Sequence, residues 1–294
     1  MQGIDATQEQ RYATTSSIFP SMTTQQKLVT EHFTKAAAFW SNVYSNSDVF
    51  SIIHQRRRDA ILAIVDELGL ETDAEVLDAG CGAGSISIAL ASRGFAVKSV
   101  DQVPEMIDLT KRTASKLGML SKVTASLGDI QHLAFPDSSF RLALAIGVLP
   151  WLNGYGASLK EVARVLKPNG YFIANIDNRW ALHRLLDPEM NFMLSPIKRK
   201  ASRFLEKIHL YKRTPVAPTT MTSSKGFKSM LRRSGFEPLK GVMFGFGPVS
   251  FFGHQLPSGS LAVRLENKLQ RLCDGKLPVL RSMGAQYLVL ARKQ

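Results

Sequence analysis

The sequence predicts an α/β protein: a Rossmann-like, mostly parallel sheet of seven strands with helices on both faces. Three observations carry this. Short apolar runs alternate with helix-period segments from about residue 71 to 178. The stretch Glu75 to Ser85, EVLDAGCGAGS, joins one such run to the helical spacing of SISIALASRG through Gly80, Gly82 and Gly84. Carboxylates, Asp78 and Asp101, close the first two runs.

Taken in order, residues 1–23 are rich in Gln, Thr and Ser without a period, and read as a mobile tail. Residues 24–294 read as a single domain. Its first part, residues 24–70, predicts two helices. One spans Thr24 to Tyr44, with Leu28, Val29, Phe33, Phe39 and Trp40 on its apolar stripe. The other runs from about Ile52 to Leu70, capped by Asp48 or Ser51, with Ile61, Leu62, Ile64, Val65 and Leu68 inward and the run Arg56, Arg57, Arg58 in its middle. Residues 71–178 form the core. FAVKSVDQ is its second strand, VPEMIDLTKRTASKLG a helix, and VTASLGDI a third strand with Gly128, Asp129 and Ile130 at its tip. A fourth strand lies in FPDSSFRLALAIGVLPWL, and SLKEVARVLKPNGYFIANID supplies a helix, a turn at Lys167 to Gly170 and a fifth strand.

Residues 179–223, with Pro188, Pro196, Pro215 and Pro218, read as an insertion holding one or two helices. Ser223 or Ser224 caps the helix GFKSMLRRSG, which stops at Gly235. FEPLKGVMFGF is a sixth strand. Residues 248–282 are a second insertion containing the amphipathic LAVRLENKLQRLC, and AQYLVLARK is a last, antiparallel strand.

A strand, a glycine turn and a helix bring backbone N–H groups and a helix start against a polar ligand. The dinucleotide pattern GxGxxG needs a third glycine where Ser85 stands, and a phosphate loop needs a Gly-Lys-Ser/Thr ending that does not follow. The spacing is GxGxG, preceded by Asp78. Asp101 stands 23 residues after Asp78, at the end of the second strand, where its two oxygens suit two ribose hydroxyls.

This series of motifs resembles the class I S-adenosylmethionine (SAM) dependent methyltransferases over about residues 70 to 178. The resemblance implies SAM as cofactor, held by Asp78, Gly80, Gly82, Gly84, Asp101, Gln102, Asp129, Ile130 and Gly147. It implies that Asp129 bonds the adenine amino group and that its neighbour Ile130 packs on the ring. It also implies N-terminal helices folded over the cofactor, with Trp40, Tyr44 and Arg57 as lid contacts, and an insertion after the fifth strand that shapes the substrate pocket. A nicotinamide or flavin nucleotide is the competing ligand.

The 294 residues are long enough for a sizeable core, and a hydrophobic content of 45% is ordinary for a globular protein. No apolar run reaches a membrane span and no secretory leader is evident, so a cytoplasmic location is expected. Two cysteines make no disulfide framework, and Cys81 reads as a small residue filling a tight turn. The net charge of +13 is unevenly spread. Residues 178–294 hold 21 Lys and Arg against 6 Asp and Glu, whereas residues 1–177 hold 16 against 18. The imbalance points to an anionic partner: an acidic or carrier-bound substrate, a membrane surface touched peripherally, or nucleic acid. A basic surface without a specific partner explains it equally.

Methyl transfer from a sulfonium is a displacement that mainly needs alignment; a base is needed only if the nucleophile must lose a proton. Among His132, His183, His209 and His254, the candidates are His183 and His254, in the segments expected to border the pocket. At the fourth strand's end GVLPW replaces the Asn/Asp-Pro-Pro-Tyr/Phe signature of amino-methylating enzymes, and Trp151 with Tyr155 suggests an aromatic wall. No metal-ligand spacing is present. The expected function is methyl transfer to a small molecule, to an oxygen of a hydrophobic or anionic metabolite, quinone-like, lipid-linked or carrier-bound. In resemblance it is nearest the ubiquinone/menaquinone type. The alternative is an RNA or other nucleic-acid methyltransferase working through the basic half, although no nucleic-acid-binding module is recognisable. A fold that binds SAM without catalysis is a third reading, against which the intact Gly and Asp positions speak.

Overall fold

Period-2 alternation along the strands decides how the layers form. The computed structural model describes residues 23–188, 190–194, 219–247, 250–251, 254–255, 259–275 and 280–294. Its main sheet runs in the order β3-β2-β1-β4-β5-β10-β7. These are β1 (Glu75–Ala79), β2 (Ala96–Asp101), β3 (Val123–Leu127), β4 (Phe140–Ala145), β5 (Leu166–Asn178), β7 (Phe236–Phe244) and β10 (Gln286–Lys293). β1 to β5 pair in parallel; β10 is antiparallel to both β5 and β7. An eighth strand departs from the expected seven: the two-residue β6 (Met221–Thr222) pairs in parallel with the end of β5. A separate ribbon is formed by β8 (Ser250–Phe251) and β9 (His254–Gln255).

Alternate residues of each central strand enter opposite cores. Leu77, Ala143, Phe172, Ala174 and Val289 point to one. It is closed by α6 (Gly156–Val165) and α8 (Ser224–Arg233) through Leu159, Val162, Phe227 and Leu231. Val76, Leu142, Leu144, Ile173 and Leu288 point to the other, against α3 (Val49–Glu67) and α4 (Ser85–Ala91). Both faces are therefore covered, which is why these strands read as continuous apolar runs. Burying each such side chain stabilises the fold by about 1.5–3 kcal/mol.

The N-terminal helices differ from the sequence expectation in their ends. The first breaks at Ala36 into α1 (Thr24–Lys35) and α2 (Ala37–Asn42), because Ala36 closes α1 at φ −94° and ψ 6°. Thr23 and Gln26 form a capping box at the start of α1. α3 begins at Val49, three residues earlier than expected, because the Asp48 carboxylate accepts from both the Ser51 amide and hydroxyl. Ser51 is thus inside the helix, and Asp48 alone is the cap. Ser223 caps α8 through the Gly226 amide. α5 (Pro104–Lys116) follows β2, and the described part of the first insertion contains α7 (Leu182–Leu186). α9 (Gly259–Asp274) is the amphipathic helix of the second insertion. The remainder of both insertions and residues 1–22 of the tail expected over residues 1–23 lie outside the described residues, while Thr23, its last residue, caps α1. Among the described residues no helix is long and apolar enough to cross a membrane.

Candidate active site

Parallel strands deliver their ends to one edge of the sheet. Asp78, Asp101, Gly128, Gly147 and Asp177 stand at or just beyond the ends of β1 to β5. β10 runs the other way, so its first residue, Gln286, arrives at the same edge in register with Asp177. A cavity of about 560 Å³ opens there. Its floor is made by these strand ends and its roof by α1, α2 and α3.

The glycine turn forms one wall. Gly80, Gly82 and Gly84 have φ of +81°, +53° and +81°, a region that side-chain-bearing residues adopt at a cost of about 1–2 kcal/mol. They differ in surroundings. A Cβ on Gly80 would stand 1.9 Å from Val148 Cγ2, and one on Gly84 2.7 Å from Thr110 Oγ1. A Cβ on Gly82 would meet nothing within 4 Å. Gly80 and Gly84 are thus fixed by packing, while Gly82 leaves open space for a ligand.

Two buried carboxylates face this turn. Asp101 accepts from the Gly82 amide through Oδ2 and from the Val103 amide through Oδ1, both at 2.9 Å. Burial pushes its pKa up, against the pull of those amides. Asp78 is 1% exposed and accepts from Ser87 Oγ at 2.6 Å; Ser99 Oγ donates in turn to Ser87 Oγ at 2.9 Å. Burial raises its pKa to about 6, with Asp101 adding to the rise. Such carboxylates favour a ligand that brings hydroxyls and a positive charge. Asp129 bonds the Gln131 amide at 2.9 Å and Gln26 Nε2 at 3.0 Å, and Ile130 is buried beside it in the cavity wall. Gly147, at φ +75°, receives Asn175 Oδ1 on its amide at 2.6 Å.

The open cradle at Gly82, the two-oxygen carboxylate of Asp101 and the buried Asp78 fit SAM. Asp78, Gly80, Gly82, Asp101, Gln102, Ile130 and Gly147 all line the cavity. Gly84 and Asp129 stand behind it. Gly84 is the N-cap position of α4, and Asp129 is bonded to the lining residue Gln26. Cys81 is buried, and its thiol is held well above its usual pKa by burial and the nearby carboxylates, which suits the space-filling role.

Trp40, Tyr44 and Arg57 line the cavity from above. Phe33, Trp40, Phe50, His54 and Trp151 form a continuous aromatic wall, with His32 stacked on Trp151 at 5.3 Å and Phe50 4.1 Å from His54. Tyr155 is not part of that wall. It is buried against Phe227, and its hydroxyl donates to Thr220 O.

His183 is not among the cavity-lining residues. It lies on α7, buried, with Nδ1 unpartnered and its pKa lowered to about 4 by burial and Arg184. The side chain of His254, like all of His209, lies outside what is described, and His132 is exposed beyond Asp129. Sequence reasoning missed His54, which does line the cavity. Its Nδ1 donates to Phe50 O at 2.8 Å, leaving Nε2 as an acceptor, and burial with Arg57 nearby lowers its pKa to about 3. Asp177 and Gln286 were also missed, being brought to the cavity by strand order alone. A signal for His54 was present: it is three residues before Arg57, one helical turn away. Among the described residues no group of His, Cys, Asp and Glu is arranged to hold a metal.

Residues 77–174 match the family described as "Methyltransferase domain". The chain is 31% identical over 110 residues to the sterol 4-C-methyltransferase strm-1 of Caenorhabditis elegans, covering 37% of this chain and 33% of that one. It is 25% identical over 233 residues to the ubiquinone/menaquinone biosynthesis C-methyltransferase UbiE of Rickettsia rickettsii, covering 70% and 87%. Three of its curated relatives are matched over 33%, 46% and 36% of their lengths, so the chain spans less than half of each. Among solved structures, the magnesium protoporphyrin IX methyltransferase of Synechocystis PCC 6803 with bound SAH shares the fold. Its TM-score is 0.60 at 16% identity, covering 92% of this chain and 100% of that one. The [4+2]-cyclase SpnF shares it too, with a TM-score of 0.59 at 17% identity over 92% and 96%.

Proposed function

We propose that the chain, whose residues 77–174 match a methyltransferase domain, transfers the methyl group of SAM to a small-molecule acceptor. We take the acceptor to be hydrophobic or anionic and the acceptor atom to be oxygen. The observation that carries this is the cavity itself. One continuous, largely apolar cavity joins the Gly82 cradle and Asp101 to an aromatic chamber under α1, α2 and α3. A concave, aromatic-lined cavity suits a small molecule better than a polynucleotide, whose affinity would come from phosphate contacts along a basic face.

SAM, when bound, supplies an activated methyl group. The chain's own residues orient and desolvate. Asp101 and its amides fix the sugar end, with Gln102 beside it. Ile130 receives the adenine, with Asp129 behind it holding Gln26 in the cavity wall, and the open side of Gly82 receives the amino-acid end, whose ammonium group suits Asp78. The aromatic wall excludes water and holds the acceptor's apolar body in line. His54 Nε2 is an acceptor facing the chamber, able to orient a hydroxyl. Its low pKa makes it a poor general base, which suits an acceptor that is already ionised and has no proton to lose. Names borne by similar proteins, sterol, quinone and malonyl-carrier methyltransferases, support apolar or carboxylated acceptors.

The test is calorimetry with SAH and with NADH, followed by transfer of labelled methyl from SAM to quinol, fatty-acid and RNA fractions. SAH binding with label in a small-molecule fraction is expected. NADH binding without SAH binding, or label confined to RNA, would displace this reading.

A further inference from the structure

The chamber wall carries a cation, Arg57, that no carboxylate among the described residues meets at contact distance. Arg57 is 4% exposed. Among the described residues its one hydrogen bond is from Nη1 to Gln286 Oε1, at 3.1 Å, and its Nε is sealed from solvent without a partner. Its two neighbours in the arginine run are occupied elsewhere. Arg56 bonds Asn267 and lies 3.5 Å from Glu266, and Arg58 pairs with Asp59 and covers the Tyr44 ring. The carboxylate of Asp177 is within electrostatic reach of Arg57 but makes its ion pair with Arg184, at 3.5 Å. A buried guanidinium remains charged and is costly to keep out of water unless a partner satisfies it.

Its surroundings say what that partner looks like. Arg57 lies beside Gly147, where even an added Cβ would stay 3.8 Å from Nη1, so the strand end leaves the fork uncovered. Trp40 Nε1 is a second sealed donor without a partner, on a ring 5.6 Å from His54, one turn before Arg57. The adjoining walls are the rings of Phe33, Phe50 and Trp151 and the side chain of Ile146. We infer that the chamber takes an amphiphilic carboxylic acid, whose carboxylate the Arg57 guanidinium grips while its apolar body lies along the aromatic wall. A planar fork matches a carboxylate with two parallel bonds. The inference rests on the methyl-transfer reading and gives its acceptor a chemical class.

A carboxylate could come from the acceptor or from the amino-acid end of the cofactor. Position favours the acceptor. The glycine cradle and Asp101 stand at β1 and β2, whereas Gln286, which Arg57 bonds, and Asp177 stand at the β5 and β10 side of the floor, with Gly147 at the end of β4 between them. The two are separated by titrating the full chain, saturated with SAH, with decanoate and with 1-decanol at pH 7.5, using the fluorescence of Trp40 and Trp151.

Decanoate is expected to bind at least tenfold more tightly than decanol. Arg57→Met should erase that preference while SAH affinity stays within about twofold, and Arg57→Lys, which keeps a charge and guards against a folding defect, should retain part of it. Equal binding of acid and alcohol to the unaltered chain overturns the inference. So does an Arg57→Met variant that loses SAH and keeps its decanoate preference, which would give Arg57 to the cofactor. If SAH fails to bind the unaltered chain, the methyl-transfer reading falls instead, and the same titration without SAH decides the Arg57 site separately.

Discussion

Gln26 on α1 donates from Nε2 to Asp129 Oδ2 at 3.0 Å, tying the first described helix to the tip of β3. The same side chain, through Oε1, accepts from the Thr23 amide that starts α1. One glutamine therefore caps the roof helix and fastens it above the place proposed for adenine. A bond to a charged acceptor contributes about 1.5–3 kcal/mol. Gln26→Ala should loosen α1 by that order, so amide exchange over residues 24–35 should accelerate at least tenfold while β1 to β5 keep their protection. Uniform acceleration across the sheet would show that Gln26 supports the fold rather than the roof.

Asp101→Asn keeps the shape of the side chain but removes its charge and one acceptor, in a place where Gly82 and Val103 each donate to it. SAH affinity is expected to fall by about 1.5–3 kcal/mol, roughly 10- to 100-fold, by calorimetry. Unchanged affinity would remove Asp101 from the cofactor site.

Gly82→Ala separates ligand space from packing. Its added methyl meets no protein atom within 4 Å, yet its φ of +53° costs about 1–2 kcal/mol in a residue with Cβ. The melting temperature should fall by a few degrees, while the stabilisation given by SAH disappears. Gly80→Ala, which drives a Cβ to 1.9 Å from Val148 Cγ2, should lose far more stability even without ligand. Thermal shift with and without SAH measures both.

Asp78 gives a pH dependence. Its folded pKa is raised to about 6 from 3.8, so the folded state holds its proton more tightly than the unfolded chain does. Its contribution to stability is complete below about pH 4 and is lost as pH rises through about 6, a change on the order of 2–3 kcal/mol. A ligand ammonium group reverses the preference by favouring the ionised form. SAH should therefore bind more weakly at pH 5 than at pH 7.5 and release a proton between them. Asp78→Asn should flatten both trends, as calorimetry in buffers of different ionisation enthalpy would detect.

Glu266 is 2% exposed and accepts from the Phe246 and Gly247 amides while facing Arg56 at 3.5 Å. Glu266→Ala leaves two amides without their acceptor and is expected to lower unfolding stability by about 2–4 kcal/mol in urea, with SAH affinity little changed. Loss of SAH binding at unchanged stability would contradict this.

Local chemistry determined the half of the site that lies within one sequence stretch. Asp78, the three glycines and α4 are consecutive, and their spacing requires a strand, a left-handed turn and a helix whatever surrounds them. Asp101 and the Gly128 to Ile130 tip were legible for the same reason: each ends a short apolar run, and parallel strands bring such ends to one edge. Continuous apolar runs along β1, β4 and β5 likewise announced a sheet covered on both sides. The other half was decided by tertiary structure. Gln286 reaches the chamber only because β10 is antiparallel and registers it with Asp177, and His54 and Arg57 become its roof only because α3 crosses that edge. His183 looked equally suited in the sequence, yet α7 buries it away from the cavity wall. A histidine or arginine on a helix has the same local pattern whether it meets solvent, core or ligand. Spacing specifies which face of its own helix it shares, and only packing specifies what that face meets.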